Sequence, residues 1–265
     1  MTQEQRLDYL IEHFKEDSGE YRNLRMGNGA EEKRRALRSL MNVRMPGNMD
    51  AETLSVQDAY LRERAEEKGV VTPDMIPAAK DPRLSLWQGD ITRLAVDAIV
   101  NAANSQMLGC FIPMHSCIDN CIHTFAGVQL RNECARQMGI LRKRYGGNYE
   151  QPTAVPMLTD AFNLPAKKVV HIVGPVVRDN LTVENERDLA SCYRNTLNLC
   201  AENGLLTVAF CCISTGVFRF PPERAAEIAV GTVTDWLDAN AGKMERVIFN
   251  VFGDRDRVMY ERLLL

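Results

Sequence analysis

Apolar residues recur at helical spacing through the first part of the chain. "LDYLIEHF" (7–14) and "EEKRRALRSLMNVR" (31–44) each predict an amphipathic helix, and "SVQDAYLRERAEEKG" (55–69) predicts a third that stops on Gly69. Arg44-Met45-Pro46-Gly47-Asn48 reads as a turn between them. The pattern changes near residue 80, after "IPAAKDPR". "LSLWQGDI" (84–91), "AIVNAA" (98–103), "KVVHIVGPVV" (168–177), "LLTVAFCCIS" (205–214) and "ERVIFNVFG" (245–253) are short apolar runs bounded by Gly, Pro, Asn or Asp. Each suits a buried strand. Helical spacing lies between them in 118–139, 185–204 and 221–242. Strands alternating with helices predict a layered α/β domain with a largely parallel or mixed sheet over 81–265, preceded by a helical region over 1–80.

Composition alters this picture little. The chain has 265 residues, 45% hydrophobic and 25% charged, with a formal net charge of −3. No basic surplus points to nucleic acid, and no apolar run is long enough for a membrane span. The charged start "MTQEQRLDYLIEHFKED" lacks the apolar block of a signal peptide. A cytoplasmic protein is expected, where eight cysteines stay reduced and serve as metal ligands or small core residues. Cys192, Cys200, Cys211 and Cys212 are expected in the core. His13 is expected to pack on its helix, His123 and His171 to be structural.

"TVAFCCISTGVFRFPPERAAEIAV" (207–230) reads as strand, tight loop and helix. Its small residues Ser214, Thr215 and Gly216 let backbone N–H groups approach an anion at the helix start. Pro221 or Pro222 suits the first helical turn. Phe218 and Phe220 offer an aromatic wall for a sugar or base. The loop is neither a Walker A nor a dinucleotide fingerprint, and an ordinary strand–helix turn has the same pattern. Asp90, in "GDI", is a turn carboxylate or an acceptor for an exocyclic amine.

The densest chemistry lies in "GCFIPMHSCIDNCIH" (109–123). Cys110, His115 and Cys117 are zinc-type ligands at close spacing, with Cys121 and His123 just beyond. If Cys121 joins, the site is a closed, structural Cys₃His centre; if not, three ligands leave an open position suited to catalysis. Ile118-Asp119 looks like a helix start with Asp119 as N-cap, and Asp119 is also the nearest carboxylate able to handle a proton. The patterns of zinc deaminases and zincin proteases are absent.

"GDIT" (89–92), "VDAIVNAAN" (96–104), "GP" (174–175) and "STGVFRFP" (214–221) together resemble the macrodomain, a three-layer α/β/α sandwich with a mixed sheet that binds ADP-ribose. The chain departs from ordinary macrodomains where "CFIPMHSC" (110–117) replaces a glycine run ahead of "IDNCIH" (118–123). That departure and the helical region are similar to the zinc-dependent macrodomains of microbes. These are protein-ADP-ribose hydrolases associated with a sirtuin-type transferase that modifies a lipoyl-carrier protein. The resemblance implies one Zn²⁺ on Cys110, His115 and Cys117, adenine at Asp90 and Ile91, distal ribose at Asn104, and diphosphate at Ser214, Thr215, Gly216, Val217 and Phe218. It implies metal-dependent release of mono-ADP-ribose from modified side chains; Asn104, at the distal ribose, and Asp119, as the nearest carboxylate, are the expected catalytic residues. Two thiolates would neutralise the ion's charge, which favours positioning of ribose or water over a strong zinc-hydroxide nucleophile. The rival reading is an ADP-ribose-binding module whose zinc only braces a loop.

Overall fold

The computed structural model describes all 265 residues. Three helices come first: α1 (Gln3–Ser18), α2 (Ala30–Val43) and α3 (Ala51–Lys68). The first starts on a capping box between Thr2 and Gln5, which satisfies N–H groups that lack intrahelical partners. Its Leu7, Leu10, Ile11 and Phe14 form one buried stripe. They pack with Leu37, Leu40 and Met41 of α2 and Tyr60 and Leu61 of α3 in a small core of their own. Gly69 closes α3 with φ 82°, a left-handed conformation that glycine adopts without penalty.

Six strands follow: β1 (Leu84–Gln88), β2 (Ala98–Ala103), β3 (Met157–Asp160), β4 (Lys168–Val173), β5 (Thr207–Phe210) and β6 (Arg246–Val251). Their order in the single sheet is β1-β6-β5-β2-β4-β3. All neighbours are parallel except β3, which runs antiparallel to β4 at the edge. Between them lie α4 (Ile118–Ala126), α5 (Val128–Tyr145), α6 (Val183–Glu202), α7 (Pro222–Ala239) and the terminal α8 (Asp254–Leu264). The result is the expected α/β/α sandwich with a mixed sheet. Strands buried on both faces explain their continuous apolar runs: Ile99, Val100, Val169, Val170, Val208 and Ala209 are all fully enclosed.

Three local expectations need correction. Residues 118–139, read as one helical stretch, form α4 and the start of α5, with a break at Gly127 (φ 94°). A Cβ there would lie 2.7 Å from the side chains of Gln57 and Gln129, so tight packing requires the glycine as well as the turn. Asp119 is not the cap of α4: Cys117 is, its Sγ accepting from the Asn120 N–H at 3.4 Å. Phe220 is only 1% exposed and belongs to the core, which leaves Phe218 alone at the loop surface. Cys192, Cys200 and Cys211 are buried as expected, with Cys212 less so. His13 stacks on Tyr9 with ring centroids 3.8 Å apart.

Candidate active site and metal centre

Asp90, Asn104, Gly174 and Ser214 all follow the carboxyl ends of parallel strands, β1, β2, β4 and β5 in turn. Loops at that end of a parallel sheet, near the point where strand order reverses, form the usual ligand crevice of open α/β folds. Here the chain passes from β1 across to β2, which lies between β5 and β4.

The loop after β5 is built for an anion. Ser214 has φ 66° and is 5% exposed, and its Oγ has no partner. Its carbonyl accepts from the Phe220 N–H at 3.0 Å, and that of Gly216 accepts from Arg219 N–H at 3.0 Å. The N–H groups of Ser214, Thr215, Gly216, Val217 and Phe218 donate to no acceptor in the protein. Consecutive free N–H groups ahead of α7 make a concave, electropositive nest. Gly174 lies against it: a Cβ there would fall 2.1 Å from Ser214 Oγ.

At the β1 edge of the sheet, Asp90 Oδ1 accepts from the Thr92 N–H and hydroxyl at 3.0 and 2.6 Å. Its Oδ2 accepts from Lys68 Nζ at 3.3 Å. Burial alone would raise the Asp90 carboxyl, but Lys68 and Thr92 outweigh it and hold it below the ordinary range. Ile91 beside it is buried. Lys68 also sits 3.1 Å from the centroid of the Phe125 ring, so the end of α3 forms part of this crevice. Nothing in the local sequence of Lys68 signals that.

Past the nest from Asp90, at the end of β2, Asn104 Nδ2 donates to Gly109 O at 3.2 Å and Asp119 Oδ2 at 3.3 Å. Its Oδ1 accepts from the Gln106 N–H at 3.0 Å. Both amide hydrogens are thereby engaged, and Oδ1 keeps one lone pair for an external donor. Asp119 is 5% exposed, its Oδ1 accepting from Asn101 Nδ2 at 2.8 Å. Burial raises its carboxyl to about 6 against the opposing pull of Asn101 and Arg131. Asn101 Nδ2 also donates to His171 Nδ1 at 3.0 Å. This places the His171 proton on Nε2, 3.0 Å from Thr159 Oγ1. His171 is thus a satisfied core residue, and Asn101 is a link that sequence reading missed. His123 is buried beside them, its Nε2 3.5 Å from Asp119 Oδ1 but neither ring nitrogen in a hydrogen bond, and burial keeps it neutral. It comes together with Cys134 and His171, but all three are enclosed in the core.

The loop from Asn104 to α4 brings Cys110, His115 and Cys117 together, their ligand atoms all within 4.8 Å of one another. Cys110 Sγ and His115 Nδ1 are 3.6 Å apart. Two thiols and an imidazole, each half-buried, suit zinc by chemistry and number. Burial pushes the Cys117 thiol up to about 12, so without a cation beside it that side chain stays protonated at neutral pH. Cys121 lies outside the group and turns to Arg38 Nη2, 3.5 Å away. The donor set therefore has three members, the alternative that leaves a coordination position open.

Loops at the carboxyl edge of a mixed sheet, with a nest of free N–H groups after β5 and a carboxylate after β1, define the class: a three-layer α/β sandwich whose strand-end loops suit an anionic ligand. The macro domain model matches residues 100–229, and the chain belongs to the macro domain family. It is 48% identical over 267 residues to the protein-ADP-ribose hydrolase of Treponema medium, covering 100% of both chains. Identity to that of Staphylococcus aureus strain Mu50 is 43% over 260 residues, covering 98% of this chain and 95% of the relative. The crystal structure of the Trypanosoma brucei macrodomain in complex with ADP-ribose superposes with a TM-score of 0.64 at 29% identity, covering 85% of this chain and 94% of that one. No helix is long and apolar enough to cross a membrane.

Proposed function

We propose that this chain is a zinc-dependent hydrolase that removes mono-ADP-ribose from modified protein side chains. The observation that carries the reading is the Cys110–His115–Cys117 group, set in a loop that begins at Asn104 on a full-length relative of named protein-ADP-ribose hydrolases. ADP-ribose lies with its adenine amine on Asp90 beside Ile91, its diphosphate on the N–H groups of Ser214 to Phe218, and its distal ribose at Asn104. One zinc ion held by Cys110, His115 and Cys117 supplies Lewis acidity and a template for ribose or water.

The chain's own residues account for binding and orientation. Five N–H donors fix the diphosphate at no reorganisation cost, and the spare lone pair of Asn104 Oδ1 accepts a ribose hydroxyl. Asp119 acts through Asn104, because its oxygens are buried and bonded to two amides; it is a positioning residue rather than a proton carrier. In the reaction the bond between C1″ and the side-chain atom breaks, water supplies hydroxyl to C1″, and its other proton passes to the leaving side chain. The oxocarbenium-like character of such a centre places the burden on charge stabilisation and water delivery.

We further take residues 1–80 as a helical region and 81–265 as the macrodomain, in a cytoplasmic protein whose thiols stay reduced. A lipoyl-carrier protein modified by a sirtuin-type transferase is the substrate suggested by the sequence resemblance. To test the binding half, ADP-ribose is titrated calorimetrically into wild type and Asp90→Ala; the variant should bind at least tenfold more weakly. To test the hydrolytic half, free ADP-ribose released from a mono-ADP-ribosylated protein is followed by chromatography. Tight binding without release would replace this reading by that of a binding module.

A further inference from the structure

The metal loop is irregular from Ser105 to Ser116, and a loop of that kind must lose conformational freedom when it gathers three ligands. Two side chains of the helical region bind it directly. Arg38 and Asn42 stand one turn apart on α2. Arg38 Nη2 donates to the His115 carbonyl at 2.8 Å and to Asn120 Oδ1 at 2.9 Å. Asn120 Nδ2 in turn donates to the carbonyls of Cys110 at 3.3 Å and Ile112 at 3.0 Å. Asn42, 1% exposed, accepts from the Met114 N–H at 3.0 Å and donates to Thr124 Oγ1 at 2.8 Å. Met114 has φ 58°, a conformation a non-glycine residue keeps only when its surroundings hold it. From the opposite side Arg131 of α5 binds the carbonyls of Met41, Asn42 and Arg44 at the end of α2. Its guanidinium also lies 4.2 Å from the Phe111 ring centroid, next to Cys110.

Resting on the zinc reading above, we propose that α2 is a built-in clamp for the metal loop, with Arg38 and Asn42 as positioning residues that preorganise Cys110 and His115 for the ion. Arg38 reaches one ligand directly through its carbonyl and the other through Asn120. Cys117 is held separately, as the cap of α4. The helical region is then part of the metal centre's supporting shell, beyond its role in packing against α4.

The test compares full-length wild type, Arg38→Met, Arg38→Lys and His115→Ala. Zn²⁺ affinity is measured by competition with a chromophoric chelator, and Co²⁺-loaded protein is examined for its thiolate and ligand-field absorption. Metal-free Tm and ADP-ribose affinity are measured alongside. Loss of a supporting partner typically weakens metal affinity by about 10- to 100-fold, and that loss is expected for Arg38→Met, with an altered Co²⁺ spectrum. Arg38→Lys, which has one compact donor group in place of the fork, should fall between. Metal-free Tm and ADP-ribose affinity should stay close to wild type. Wild-type Zn²⁺ affinity and spectrum in Arg38→Met would overturn the clamp. Equal losses in metal affinity, ADP-ribose affinity and metal-free Tm would overturn it too, assigning Arg38 to folding. If wild type binds Zn²⁺ no better than His115→Ala, the zinc reading fails, and the clamp with it.

Discussion

Replacing Asp119 by Asn removes one charge from the interior and leaves the side-chain shape. In the folded protein the carboxyl titrates near 6, against an ordinary 3.8. The folded value is raised, so the protonated acid favours folding. That stability is fully present below pH 3.8 and is lost as pH rises through about 6. A difference of about 2 units corresponds to about 3 kcal/mol, of which about 2 kcal/mol falls between pH 4.5 and pH 7 by linkage. The Asn variant has no titrating group there. Its NH₂ faces either Asn101 Nδ2 or Asn104 Nδ2, both of which are donors, and this costs a constant offset at every pH. Urea unfolding of both proteins at pH 4.5 and 7, with chelator present so that metal release does not intrude, gives the difference directly. Wild type should lose about 2 kcal/mol relative to Asp119→Asn over that range. A difference that does not change with pH, or that grows in favour of wild type as pH rises, would refute a buried, raised carboxyl.

Gly174→Ala places a Cβ 2.1 Å from Ser214 Oγ and 2.7 Å from Ile213 Cγ2. ADP-ribose titration should show affinity reduced by about tenfold or more as the anion loop is displaced, an overpacking cost of about 1–3 kcal/mol, and Gly174→Ala with Ser214→Gly should recover part of it. Phe14→Ala, at a side chain 1% exposed in the helical core, should cost about 3–5 kcal/mol, read as a lower urea midpoint. Chelation should lower Tm of wild type by the linkage of metal to folding, about 2.7 kcal/mol when free metal stands at 100 times its dissociation constant; His115→Ala should show little response.

Much of the architecture is legible in the chain because its strands are buried on both faces and announce themselves as continuous apolar runs. All five parallel strands fall within the predicted segments. β3 does not show: four residues, Met157 to Asp160, follow Pro152 and Pro156 and pair only at an edge, too short for periodicity to register. The Gly127 break is hidden because α4 and α5 share apolar spacing across it. At the site, Asp90, Asn104 and the Ser214 loop lie at strand ends where pattern and motif coincide. Asp119 misleads because an acidic residue beside a helix start is usually a cap; here the Cys117 thiol takes that place and Asn101 and Asn104 draw the carboxylate inward. Lys68, Arg38 and Asn42 meet the site only through helix packing, so no local pattern marks them.

On the proposed function, the Cys110–His115–Cys117 group holds an ion needed for release of ADP-ribose. Single-turnover release from a mono-ADP-ribosylated protein tests it most directly, using wild type stripped of metal and then reconstituted with one equivalent of Zn²⁺, with ADP-ribose affinity measured in both states. Stripped protein should keep much of its ADP-ribose affinity, release almost nothing, and regain full turnover with a single equivalent. Undiminished turnover by the stripped protein would contradict it.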